Sequence, residues 1–302
     1  MNSLLYHVAH QTTYRYSGLV VLSRQLLHMM PRATEWQERI THDLSFSTTP
    51  SQLETGYDAF GNPMCWAEID TPYKQLTVSA QMQVRILPRG RQVARETLPW
   101  EAVRDSLAYH GKPLAPGQLD IVRYRTESPY VRIKHELGQY AADCFIADAP
   151  ILVGAEALMR KIHREFAYEP GSTAIATPML TAFRQRHGVC QDFAHIMIGC
   201  LRSLGLAAHY VSGYLRTEPP PGQPHLVGAD ASHAWVAVYC PPLGWVELDP
   251  TNNMHVDSHH ITLAWGRDFG DVSPLRGILT GASVEELRVE VTVTPLSKAI
   301  CG

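Results

Sequence analysis

The sequence predicts an α+β protein, β-rich at its start, helical through its middle and β-rich again toward its end. Three observations carry that expectation. From Gln75 to Ile86 the apolar residues Leu76, Val78, Ala80, Met82, Val84 and Ile86 alternate with mostly polar partners, the period of a strand with one buried face. From Ile151 to Tyr168, Leu152, Ala155, Leu158, Met159, Ile162 and Phe166 fall on one helical stripe. Leu287, Val289, Val291 and Val293 then alternate again, so the chain returns to a sheet, the N-terminal one being a candidate.

In chain order, Thr12–Tyr16 and Ile40–Ser47 read as further early strands. Asp58-Ala59-Phe60-Gly61-Asn62-Pro63 reads as a turn, because glycine, asparagine and proline supply its dihedrals. Residues 1–95 are therefore expected to form a β-rich, sandwich-like accessory domain and 96–150 a helical connector. Residues 151–270 form the core, and 271–302 the returning strand. Leu180–Arg186 is a short helix candidate. Asp192–Leu204 is apolar on most sides, the mark of a central, buried helix. His233–Cys240 and Trp245–Asp249 read as two strands joined by Pro241-Pro242-Leu243-Gly244, and Glu218–His225 as a surface loop.

Composition narrows the function. The hydrophobic share is 45% and the charged share 18%, ordinary for a globular chain and wrong for a disordered one. A formal charge of -3 lacks the basic surplus of a dedicated nucleic-acid binder. No apolar run is long enough to span a bilayer, and the start lacks the pattern of a signal peptide. Six cysteines, Cys65, Cys144, Cys190, Cys200, Cys240 and Cys301, are scattered without a CxxC pair, which suits reduced thiols in the cytoplasm.

One arrangement carries chemistry. Cys190 follows Gly188-Val189 and opens the buried helix, where unpaired backbone N–H groups and the helix dipole favour a thiolate. Taken alone, a cysteine in that place is more often structural. His233 lies at the start of one later strand and Asp249 at the end of the next. Cysteine, histidine and aspartate are the groups that thiolate acyl transfer requires: nucleophile, proton shuttle and orienting acid.

The segment GVCQDFAHIMIGCLRSLGLAAHYVSGYL, followed by SHAWVAVYCPPLGWVELDPTN, resembles the core of the transglutaminase-like cysteine protease superfamily. GRDFGDVSPLRG is similar to its bacterial branch, and H-x-T-x-Y-x-Y at His10–Tyr16 with DAFGN at Asp58–Asn62 to the accessory N-terminal region. The resemblance implies a papain-like core, with the nucleophile at a helix N-terminus packed on an antiparallel sheet that bears the histidine and aspartate. It matches Cys190 to the nucleophile, His233 to the base and Asp249 to the acid. It implies a cysteine-dependent amidohydrolase or peptidase acting on a peptide or protein amide through an acyl-enzyme, with no metal or organic cofactor. An acyl transferase to an amine and a non-catalytic peptide-binding module are the alternatives.

Other residues are expected to be secondary. Gln185 is a candidate second oxyanion donor beside the backbone N–H of Cys190, and Tyr168, Trp235 and Trp245 are candidate groove residues. His195, about 140° round the helix from Cys190, reads as structural, and Asp192 as a complement to the helix start. His255, His259 and His260 form a local cluster without a familiar zinc spacing, so no metal site is expected. Strand parity supplies a geometric condition. His233 and Asp249 share a face only if opposed residue numbers sum to an even value, most simply 484. That corresponds to a three-residue loop closed by Gly244 in a left-handed or bulged conformation, whereas regular pairing of Cys240 with Trp245 would put His233 and Asp249 on opposite faces.

Overall fold

The computed structural model describes residues 3–90, 92–109, 111, 116–174, 176–217 and 231–296. The loop expected at Glu218–His225 and the cysteine at position 301 lie outside the described residues. The first ninety residues form β1 (Leu4–Val20), β2 (Leu22–Leu27), β3 (Gln37–Phe46), β4 (Gln52–Tyr57), β5 (Pro63–Ile69) and β6 (Tyr73–Ile86). Helices α1 (Trp100–Ser106), α2 (Gln118–Val122), α3 (His135–Ala142) and α4 (Ile151–Glu165) follow. Next come β7 (Ala167–Tyr168), α5 (Met179–Gln185), β8 (His187–Gly188), α6 (Cys190–Ser203), β9 (Ala208–Leu215), β10 (Ala231–Tyr239) and β11 (Trp245–Asp249). The chain continues through β12 (Met254–His255), β13 (His260–Gly266), α7 (Phe269–Val272), β14 (Leu275–Thr280) and β15 (Val284–Leu296).

Period-two patterning decides the first region. The alternating apolar side chains of β6, from Leu76 to Ile86, are all buried. Among the described residues, β15-β1-β6-β3 and β14-β2-β5-β4 form two four-stranded antiparallel sheets whose buried residues join one core with the helices. Strand β15 thus returns to β1, and the 287–293 alternation finds its partner in the N-terminal sheet. Asp58 closes the expected turn: its carboxylate accepts the N–H groups of Phe60 and Asn62 at 2.8 Å each.

The third sheet, β12-β11-β10-β9-β13, carries α6 across β9 and β10. Strands β9 and β13 are buried almost throughout and so lack the alternation that exposes a strand to sequence reading. Arg202 fixes the far end of α6. Its buried guanidinium donates to the carbonyls of Tyr124, Thr126, Ala208 and Arg267, tying the helix to the connector, β9 and the turn after β13. Among the described residues no helix is long and apolar enough to cross a membrane.

Candidate active site

The start of α6 is built by Asp192, whose Oδ2 accepts the Val189 N–H at 2.9 Å and the Thr173 hydroxyl at 2.6 Å. This places a carboxylate over the first turn, as expected of Asp192. Cys190 is the first residue of the helix, half-buried at the edge of a cavity of about 430 Å³ that His233 also lines.

The hairpin delivers the histidine and the aspartate. Opposed pairs run Val236–Leu248, Ala237–Glu247, Val238–Val246 and Tyr239–Trp245, so the numbers sum to 484. The Cys240 N–H donates to the Gly244 carbonyl at 2.7 Å, and Gly244 has φ +78°, where a side chain would be strained. His233 and Asp249 therefore share a face, and His233 Nε2 lies 2.7 Å from Asp249 Oδ2. With Nε2 engaged by Asp249, the other ring nitrogen is left for Cys190, which lines the same cavity as the imidazole and favours its charged form.

Asp249 is fully buried and heavily solvated by protein. Its Oδ1 accepts the backbone N–H groups of Thr251 and Asn252, and its Oδ2 accepts the Asn252 side-chain amide at 2.7 Å. The His260 Nε2 lies 3.3 Å from the same oxygen, and the His260 Nδ1 lies 2.9 Å from Asp257 Oδ1. Burial alone would raise this carboxyl, but the bonds from His233, His260 and Asn252 hold it well below the usual carboxylate range. Burial likewise works against a charged His233, yet Asp249 and then Cys190 raise it to about 10. The arrangement favours an imidazolium between two acceptors, the state a thiolate nucleophile needs.

The structure separates the remaining expected residues. Tyr168 is half-exposed on β7, its ring against Phe193 and its hydroxyl within the electrostatic reach of Cys190. Trp235 does not line the cavity. It is fully buried beside His233 and donates its indole N–H to Glu247 at 2.8 Å, because parity puts it on the histidine's face, where Val211, Val256, Trp245 and Trp265 pack around it. Trp245 does not line the cavity either and packs against His209 with ring centres 4.5 Å apart and ring planes tilted by 58°. Gln185 is exposed at the end of α5 and does not line the cavity, whereas Gln191 does. His195 is buried, accepts the Phe269 N–H at 3.2 Å and is lowered to about 3 by burial, a packing role.

The histidine cluster disperses. His255 pairs with Glu156 and Gln92, His259 faces Asp257, and only His260 turns inward to Asp249. His233, Asp249 and His260 lie within metal-binding distance of one another, with their facing atoms already joined by hydrogen bonds. Sequence reasoning missed His260 and Asn252. Asn252 stood in the quoted DPTN run, but His260 depends on β13 crossing to the far side of β9.

Comparison with known proteins identifies the family. Residues 6–85 match the bacterial transglutaminase-like N-terminal region, and residues 139–250 the transglutaminase-like superfamily. An uncharacterized protein of Mycobacterium tuberculosis is 37% identical over 298 residues, covering 96% of this chain and 92% of its own. The chain belongs to the bacterial transglutaminase-like superfamily. Its fold is shared by a solved Cytophaga hutchinsonii structure, provisionally described as a cysteine protease, with a TM-score of 0.73 at 20% identity, covering 98% of this chain and 94% of that one. A protein-glutamine gamma-glutamyltransferase of Pseudomonas aeruginosa is 34% identical over 104 residues, which are 32% of this chain and 16% of that protein. The superfamily match supports a cysteine-dependent enzyme.

Proposed function

We propose that this transglutaminase-like protein is a cysteine amidohydrolase or peptidase that cleaves an amide or isopeptide bond through an acyl-enzyme on Cys190. The Cys190 thiolate attacks the carbonyl carbon and forms the C–S bond. His233 passes its proton to the leaving nitrogen as the C–N bond breaks. Water then attacks the thioester, its proton returning to His233, and the acid leaves with the thiolate restored. Asp249 holds the imidazole by Nε2 and stabilises its charge, and His260 and Asn252 position Asp249. The Cys190 N–H, one of the first in its helix and so without an intrahelical acceptor, is the oxyanion donor in this reading. Among the described residues Cys65, Cys144, Cys190, Cys200 and Cys240 are unpaired, which suits a reducing cytoplasm.

The observation that carries the proposal is the convergence of Cys190 and His233 on one cavity, with Asp249 2.7 Å behind the imidazole. A second reading, transfer of the acyl group to an amine, is favoured by the Pseudomonas glutamyltransferase relative and uses the same acyl-enzyme. A library of peptides and glutamine amides, assayed for released ammonia, new N-termini and amine incorporation, separates the two. Turnover unaffected by Cys190→Ala would defeat both, and a parent that turns over no member of the library would leave a binding module.

A further inference from the structure

The motif His10-x-Thr12-x-Tyr14 has no part in the chemistry above, yet all three side chains reach the Cys190 cavity. Their spacing of two puts them on one face of β1. The register of β1 with β15 sets His10 opposite Val291, Thr12 opposite Val289 and Tyr14 opposite Leu287. Opposed residues in an antiparallel pair share a face, so six side chains form a two-strand wall, and all six line the cavity with Cys190 and His233.

The wall is anchored. His10 is buried, its Nδ1 is 2.7 Å from the Tyr214 hydroxyl on β9, and its Nε2 is 3.0 Å from the Thr12 hydroxyl. Burial lowers His10 to about 4, so it faces the cavity neutral. The wall is also graded: Leu287 and Val289 are 46% and 48% exposed at the mouth, whereas Val291 is 1% exposed at the dry end. Val189, Phe269 and Leu275 close the other side. Among the described residues, no lysine, arginine, aspartate or glutamate lines this cavity. Apart from His233, whose charge is committed to Asp249, the lining gives a charged substituent no ion-pair partner for the hydration it would lose. The volume of about 430 Å³ is that of a site for a small molecule or a short peptide segment.

We propose that β1 and β15 together form the recognition subsite for an uncharged, apolar side chain flanking the amide that Cys190 attacks. This rests on the reading of Cys190 as the nucleophile and adds the substrate class. In it the β-rich N-terminal region and the strand that returns to it select the substrate.

The test uses the full chain and aminoacyl chloromethyl ketones bearing leucine, phenylalanine, glycine, glutamate or lysine side chains. Their rates of Cys190 modification are divided by the iodoacetamide rate and assigned by peptide mass spectrometry. The leucine and phenylalanine probes should react at least about tenfold faster than the glycine probe, the discrimination an apolar pocket gives, and the charged probes more slowly than glycine. Leu287→Asn combined with Val289→Asn should reduce the apolar advantage to below about threefold. Val289→Asn alone, at a half-exposed position, should reduce it partway. Arg288→Asn, on the same strand but the opposite face, should retain it. Equal ratios for all probes, faster reaction of the charged probes, or a preference that survives the double substitution overturns the wall while leaving the nucleophile standing. Iodoacetamide modification of Cys190 no faster than that of Cys144 defeats the nucleophile reading itself, and the wall with it.

Discussion

Replacing Asp249 by asparagine perturbs the most heavily bonded group of the site. Its Oδ2 meets three side-chain nitrogens, from His233, Asn252 and His260, and its Oδ1 meets two backbone N–H groups. An amide has one acceptor oxygen, so in either orientation its NH₂ faces at least two donors. The substitution also removes the charge that helps raise His233 to about 10 against its burial. A charge-assisted hydrogen bond contributes roughly 1.5–3 kcal/mol and one pH unit corresponds to 1.36 kcal/mol, so the imidazolium should lose its proton about one to two units lower. In the proposed mechanism that imidazolium protonates the leaving amine. The alkaline limb of kcat/KM should therefore fall near pH 10 in the parent and near about pH 8–9 in Asp249→Asn. Turnover at neutral pH should drop by roughly 10²–10⁴. The assay is the pH profile of amide release for parent and variant under identical buffers. An alkaline limb that stays in place, with turnover within tenfold of the parent, would refute Asp249 as the partner of His233.

Four further outcomes are expected. Cys190→Ala should leave less than about a hundredth of parent turnover while the urea midpoint stays nearly unchanged, since only a half-buried sulfur is lost. His260→Gln should lower kcat by roughly tenfold with KM nearly constant and move the alkaline limb downward. An unshifted limb would reduce His260 to packing. Gly213→Ala should destabilise by roughly 1–3 kcal/mol in urea unfolding, because a Cβ there collides with the Ile261 carbonyl and the Trp235 ring beside His233. Stability should also follow pH with two signs. His233 binds its proton more tightly when folded, so its contribution is complete below about 6.5 and lost as pH rises through about 10. Asp249 binds its proton less tightly when folded, so its contribution is present above about 3.8 and lost as pH falls. Urea unfolding across pH should show both losses, and the acid one should shrink in Asp249→Asn.

The parts legible in the sequence are those with local periodicity. The β6 and β15 alternations, the α4 stripe and the all-round apolar α6 each stated their burial directly. The β10–β11 register became legible once His233 and Asp249 were required to share a face, because an even sum then leaves 484 as the simplest solution and Gly244 tolerates the turn it needs. Strands β9 and β13 were not, since strands buried on both faces show no alternation. The same gap hid His260, whose meeting with Asp249 depends on sheet order rather than on spacing. Trp235 marks a further limit: parity gives the face a side chain occupies, but not whether that face is open.

The pairing of β15 with β1 also bears on how the molecule assembles. Leu5 meets Leu296 and Tyr14 meets Leu287, contacts that join opposite ends of the described chain. Closing so large a loop has a high entropic cost and forms slowly compared with the helices and hairpin of the centre. A folding chain can therefore bring α6 and the β10–β11 hairpin together while the cavity is still open along one side. In that interval the thiol would meet whatever diffuses by, and selectivity would arrive only when the two distant strands zip. Slowing that last pairing, rather than weakening the centre, is the perturbation that would expose a reactive but indiscriminate intermediate.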